Sequence, residues 1–142
     1  LEMAAVLLAD AARIQEGDLE RRNRRRARRG EAAEEALYTL ADVEKAIALG
    51  SALAYRRSRE IAPGVHLELF DAGHILGSAT ALLEIEERGT RKTLVFSGDI
   101  GSPGSPIVRD PDPPQRADLV VLESTYGDRD HRSRDATIEE LE

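Results

Sequence analysis

Apolar residues at the start of the chain recur at three- and four-residue steps. Over residues 1–15 this spacing predicts an amphipathic helix. The residues on its apolar face are Ala4, Leu7, Ala11 and Ile14. Gly17 and Asp18 interrupt the pattern, so the predicted helix stops before them.

A second, shorter helix is predicted between Thr39 and Gly50. Thr39 has the character of an N-cap, because Asp42 follows three residues later and can complete a capping box. The helix is expected to run through Ala48, and Gly50 marks its end. The side chains predicted to turn inward are those of Val43 and Ile47.

After Gly64 the apolar period changes from helical to alternating. Val65, Leu67 and Leu69 share one face of the alternation, which is typical of a β-strand. A glycine-containing turn over residues 87–91 joins two further strands into a hairpin. The predicted strands are residues 65–70, 79–86, 92–96 and 119–122, the last of them buried.

Two other segments have distinct patterns. Residues 102–114 contain five of the six prolines and cannot pair as a central strand, so we expect a surface excursion there. Asp135 is predicted to cap a helix over residues 136–142.

Composition narrows the class of protein. The chain has 142 residues, about one domain, and 41% of them are hydrophobic. It has no cysteine, which excludes disulfides and thiolate zinc sites, so a transition-metal site would use histidine and carboxylate. No apolar run approaches the roughly 20 residues of a membrane helix, and there is no signal-peptide pattern. We therefore expect a cytoplasmic protein with no membrane partner.

Charge is segregated along the chain. The formal net charge is −7, yet residues 21–29 (RRNRRRARR), here called the arginine run, contain seven arginines in nine positions. The run has no apolar face and is either a solvated helix extension or a mobile loop. It either binds phosphates or is a solvated block that Glu31, Glu34 and Glu35 partly neutralise. No aromatic residues interleave with it, so base stacking is not indicated.

Three motifs place an ionisable residue within four residues of a glycine, where a strand is predicted to end. They are DAGHILGSA with His74, FSGD with Asp99, and ESTYG with Glu123. Such groups would stand at a sheet rim, where hydrolytic metal sites are commonly built. Taken singly, each has a structural alternative, namely a loop histidine, a turn aspartate and a strand end. His66 has no assigned role. His131 is either a further candidate site residue or a solvated histidine.

Together and in this order, the motifs resemble the metallo-β-lactamase superfamily, most closely its β-CASP branch of RNA-processing nucleases. That branch includes ribonuclease J and the nuclease subunit of the cleavage and polyadenylation machinery. The resemblance implies an α/β fold, part of a four-layer αββα sandwich. Residues 1–127 would be its central and C-terminal part, and residues 128–142 the beginning of a β-CASP domain.

The resemblance also implies site roles. His74 would ligate one ion of a two-zinc centre, and Asp99 would bridge both ions. Glu123 would orient a histidine near the leaving oxygen, and that histidine is not in this chain. The family's H-x-H-x-D-H motif is also absent, so we expect an internal fragment that is inactive alone.

The parent protein is accordingly expected to be a metal-dependent hydrolase that cuts RNA phosphodiester bonds with two Zn²⁺ ions. Its expected partners are RNA and either a second copy of itself or an RNA-processing complex. An alternative from another class is a metal-free scaffold or binding subunit of such a complex. An intact H-x-H-x-D-H motif in the parent would favour the enzyme, and a degraded one the scaffold.

Overall fold

The computed structural model describes residues 1–128 of the chain. The helix predicted after Asp135, His131 and most of the predicted β-CASP segment lie outside the described residues. The chain divides into two compact units, residues 1–53 and the residues from 54 onward. Among the described residues, no helix is both long and apolar enough to cross a membrane.

The first unit begins with a single long helix, α1 (Glu2–Arg28). The predicted interruption at Gly17 and Asp18 is wrong. A lone glycine costs a helix only about 1 kcal/mol relative to alanine, and the good helix formers Glu16, Leu19 and Glu20 lie close to this one. Asp18 also pairs with Arg21 three residues later on the same face. The arginine run is therefore a helix extension and not a loop.

The second helix, α2 (Leu40–Leu49), agrees with the sequence prediction. Asp42 N donates to Thr39 Oγ1 at 3.3 Å, and Thr39 N donates to Asp42 Oδ2 at 3.0 Å. These reciprocal bonds form the predicted capping box and lower the pKa of Asp42, chiefly through its hydrogen bonds with Thr39. Val43 is buried and Ile47 is half-buried, as expected.

The second unit contains one mixed sheet in the strand order β1-β2-β3-β4-β5. Neighbouring strands from β1 to β4 are antiparallel, and β5 runs parallel to β4. The predicted strands are present, and β1 is an additional short edge strand without an alternating pattern. The strands are β1 (Arg59–Ala62), β2 (Val65–Asp71), β3 (Ala79–Glu87), β4 (Thr90–Phe96) and β5 (Leu119–Val121). Mixed sheet and helices together make this an α/β protein.

A two-residue turn joins β3 to β4. Glu87 pairs with Thr90, so only Arg88 and Gly89 lie between the strands. Both have positive φ, 50° and 75°, which is the backbone of the tight turns that suit the twist of a hairpin. The predicted hairpin is confirmed, with a shorter turn than the sequence indicated.

Strand β5 is present but its predicted burial is wrong. Leu119, Val120 and Val121 are 55%, 53% and 48% exposed. The strand lies at the sheet edge and pairs only with β4, and within residues 54–128 the sheet is a single layer. A continuous apolar run indicates a strand that is covered on both faces, and the described residues supply no cover.

Residues 102–114 contain neither helix nor strand, as their prolines predicted. They leave the sheet after β4 and return to it at β5. Asp118 closes this excursion, because its carboxylate accepts hydrogen bonds from Thr93 N at 2.8 Å and Thr93 Oγ1 at 3.0 Å. The two flanking strands are thereby brought into register.

The capping box generates a stability prediction. We expect Thr39→Ala to lower the free energy of unfolding of the helical unit by about 1 kcal/mol, because both hydrogen bonds of the Thr39 hydroxyl with Asp42 are lost. Thr39→Ser keeps the hydroxyl and should retain most of that stability. Urea unfolding followed by circular dichroism at 222 nm measures both variants. Equal stability of the alanine variant and the wild type would contradict the role assigned to the cap.

Candidate functional site

The loop between β2 and β3, residues 72–78, contains the first motif. Asp71 Oδ1 accepts a hydrogen bond from Gly73 N at 3.0 Å and turns the chain directly after β2. Ser78 Oγ then accepts from His74 N at 3.1 Å and from Ile75 N at 3.3 Å. The backbone of His74 is therefore held by the two ends of its own loop, while its imidazole is exposed.

The proline-rich excursion packs against the back of this loop. Gly73 has φ +64°, and a Cβ there would lie 2.7 Å from both Arg109 O and Pro111 N. Asp112 N donates to Asp71 O at 2.9 Å, which fixes the excursion to the end of β2. Only glycine satisfies both the positive φ and the close approach at this position.

An arginine and a tyrosine support the same loop from the segment before β1. Arg56 Nε donates to Asp112 Oδ2 at 2.9 Å, and its guanidinium lies 5.0 Å from the ring centroid of Phe70. Tyr55 Oη donates to Ser78 O at 2.7 Å. Sequence reasoning missed both residues, because neither belongs to a motif or to a periodic pattern.

The loop after β4 contains the second motif. Ser97 is 3% exposed, and its carbonyl accepts from Thr80 Oγ1 at 2.8 Å. Its amide donates to Val121 O at 3.0 Å, which continues the pairing of β4 with β5. Gly98 then turns the chain with φ +58°, and Asp99 follows with an exposed carboxylate. A buried serine and a glycine thus place Asp99 at the rim of the sheet.

The first two loops touch through their backbones. Gly101 N donates to Ala72 O at 2.8 Å. A Cβ on Gly101 would lie 1.7 Å from Gly73 O and 2.7 Å from His74 N, distances that no real side chain tolerates. Gly101 is therefore required for the approach of the loop carrying Asp99 to the loop carrying His74.

The third loop is attached to the second through Glu123. Its backbone amide donates to Ser97 Oγ at 3.0 Å, and its Oε1 accepts from Ile100 N at 2.6 Å. The hydrogen bond from Ile100 lowers the pKa of Glu123, with smaller contributions from Thr125 and His74. The carboxylate thus interacts with both other loops.

Sheet topology explains why the three motifs meet. Strands β2 and β4 are each antiparallel to β3, so they run in the same direction, and β5 runs parallel to β4. The carboxyl ends of these three strands consequently lie at one edge of the sheet. His74, Asp99 and Glu123 follow those ends. His66 lies near the start of β2, toward the opposite edge.

The donor types at this edge suit zinc, but the set is partial. A histidine imidazole and an aspartate carboxylate are both good zinc ligands. Among residues 1–128, no group of three or more His, Cys, Asp or Glu side chains is placed to hold a metal ion. Within these residues, His74 and Asp99 therefore do not form a complete metal site by themselves.

Comparison with known proteins identifies the relatives of this chain. No family model matches it. Ribonuclease TTHA0252 of Thermus thermophilus is 38% identical over 100 residues, which cover 70% of this chain and 22% of that protein. The RNase J-like protein of Methanocaldococcus jannaschii is 32% identical over 91 residues, 63% of this chain and 21% of that protein. Cleavage and polyadenylation specificity factor 73 of Drosophila melanogaster is 30% identical over 103 residues, 72% of this chain and 14% of that protein.

These relatives are the kind of protein that the three motifs resemble. The chain is a member of the β-CASP branch of the metallo-β-lactamase superfamily. It spans about a fifth or less of the length of these curated relatives. The family that the three motifs predicted is therefore confirmed.

The anchored carboxylate generates a pH prediction. Because the pKa of Glu123 is lowered, its bond to Ile100 should be complete above the ordinary glutamate pKa and lost as the pH falls through the lowered value. The amide resonance of Ile100 should therefore shift with a midpoint on the acid side of the ordinary glutamate pKa. In Glu123→Gln, which keeps an acceptor oxygen without the charge, this shift should vanish. A shift that persists in the variant would assign the titration to another group.

Proposed function

We propose that this chain forms part of the catalytic domain of a metal-dependent ribonuclease that hydrolyses RNA phosphodiester bonds. The observation that supports it most is the meeting of the His74, Asp99 and Glu123 loops at one sheet edge, joined by backbone contacts. The names of the relatives agree with an RNA substrate, since they include a ribonuclease and a cleavage and polyadenylation factor. The RNA substrate and the hydrolytic activity are proposed for the whole protein and not for this chain alone.

In this proposal His74 and Asp99 would be two of the residues that hold a two-zinc centre. Zinc would supply Lewis acidity and a hydroxide nucleophile at neutral pH. The exposure of both side chains at the rim leaves them accessible to metal and substrate. Their backbones are nevertheless fixed, through Ser78 on one side and through Gly98 and Gly101 on the other.

Glu123 is proposed as a positioning residue. Ile100 N holds its carboxylate at 2.6 Å, and the lowered pKa keeps it ionised at neutral pH. An ionised, immobilised carboxylate can orient a histidine and stabilise its protonated form near a leaving oxygen. The same carboxylate holds the loop of Asp99, so it couples the second and third motifs mechanically.

The four-layer αββα sandwich and the start of a β-CASP domain at residues 128–142 are parts of the same proposal. The exposed apolar side chains of β5 support it, since an uncovered strand of this kind normally packs beneath another layer. We propose that the remainder of the protein covers this strand and supplies the other metal ligands. Zinc loading and folding of the rim would then depend on both parts.

Two variants in the intact parent protein separate the proposed roles. Asp99→Ala should abolish cleavage and lower zinc content, because the bridging oxygens are lost. Glu123→Gln should lower the rate about 10- to 100-fold with zinc content almost unchanged, as removal of a supporting partner does. Single-turnover cleavage of a labelled RNA, with zinc measured by mass spectrometry, gives both quantities.

Glu87→Gln is the matched control, since Glu87 is exposed at the hairpin end of the sheet, away from the motif loops. It should leave both rate and zinc content unchanged. Full zinc content with normal turnover in Asp99→Ala would remove that residue from the metal site. A wild-type parent with no zinc and no cleavage would instead support the scaffold alternative.

A further inference from the structure

The last turns of α1 contain the arginine run. Residues 21–29 include seven arginines and no acid, within a chain of net charge −7. Because the run is helical, its charges are sorted onto different sides of a rigid rod. The arginines differ in how far the rest of the unit neutralises them.

One side of the run is occupied by the segment that follows the helix. Asn23 Nδ2 donates to Glu34 O at 2.9 Å and Asn23 Oδ1 accepts from Glu34 N at 2.8 Å, which fixes this segment along the helix. Arg26 Nη1 then lies 3.2 Å from carboxylate oxygens of both Glu31 and Glu34. Arg22 Nε lies 3.5 Å from Glu34 Oε2. Arg22 and Arg26 are therefore paired within the protein.

The C-terminal end of α1 carries Arg25, Arg28 and Arg29, here called the basic face. Arg25 and Arg28 lie about one turn apart, and Arg29 is the C-cap residue directly after the helix. All three are exposed. Within residues 1–128 none of them forms an ion pair, in contrast to the arginines beside them. Their guanidinium groups are available to an external anion.

We propose that Arg25, Arg28 and Arg29 bind the phosphate backbone of single-stranded RNA without reading its sequence. The identification of the bound polyanion as RNA rests on the proposed function. Each guanidinium presents a planar fork of donors that matches phosphate oxygens. No aromatic residue lies within the arginine run, so an aromatic stacking platform for bases is absent there.

Charge and composition favour RNA over an acidic protein. Protein interfaces generally have an apolar centre, and no large apolar residue lies between residues 21 and 29. The net negative charge of the chain repels RNA elsewhere, which confines binding to the basic face. The Glu31 and Glu34 carboxylates are already engaged by Arg22 and Arg26, so they compete little for the exposed arginines.

The test measures binding of the 142-residue chain to a fluorescein-labelled oligouridylate by anisotropy over a salt series, with EDTA present. The triple variant Arg25→Gln, Arg28→Gln, Arg29→Gln removes three phosphate contacts. Each contact on a single strand contributes about 0.7 to the slope of log K against log salt, so the slope should become shallower by about 2. The same relation predicts an affinity loss of about 100-fold at 0.1 M salt. An unchanged slope would overturn the proposal.

A control triple variant, Arg57→Gln, Arg88→Gln, Arg116→Gln, removes the same charge from exposed positions in the second unit. It should reduce affinity only slightly. Equal losses in the two triple variants would assign binding to overall charge and overturn the proposal. The proposal would also be overturned if a polyglutamate peptide bound as tightly as the RNA and with the same dependence on the three arginines. That result would indicate an acidic protein partner.

Folding is checked by helical ellipticity, and by a charge-conserving variant with lysine at the three positions. Because lysine retains the charge, this variant should keep nearly all of the salt dependence. Loss of that dependence in the lysine variant would overturn the proposal. The binding assay requires no cleavage, so its failure leaves the hydrolysis proposal untouched. Failure of the Asp99→Ala prediction would likewise leave RNA binding intact.

Discussion

The close approach of two backbones at the sheet edge is the constraint on which the candidate site depends. Gly101 donates to Ala72 O at 2.8 Å, and its Cα lies so near Gly73 O that no Cβ fits between them. This contact brings the loop of Asp99 against the loop of His74. If the contact opened, the two proposed ligands would be held only by their own strands, and a shared metal site would lose its geometry.

Glu123 of the third motif adds an electrostatic interaction to this steric contact. Glu123 accepts the hydrogen bond of Ile100, the residue before Gly101, and interacts with His74. Through this bond and its own backbone amide, which donates to Ser97 Oγ, Glu123 holds the loop after β5 to the loop after β4. The site depends on glycines, which permit the close approach of the backbones, and on one acid, which fixes the separation of two loops.

Much of this fold could be predicted from local sequence, and the failures have physical reasons. The capping box at Thr39 and the β3–β4 hairpin depend on residues close in sequence, so their patterns were sufficient. The exposure of β5 depends on which layers cover it, which an apolar run does not specify. The roles of Tyr55 and Arg56 depend on contacts with residues distant in sequence and left no periodic signal. The site residues themselves came from a family resemblance, and their chemical roles remain proposals.

The most direct measurement of the central claim is a nuclear Overhauser contact between the α-protons of Gly101 and the amide proton of His74. The position of a Cβ on Gly101, 2.7 Å from His74 N, predicts a cross-peak in the folded protein, together with slow exchange of the Gly101 amide proton. A folded spectrum with neither the cross-peak nor the protected amide would contradict the account, because the two ligand loops would then not meet.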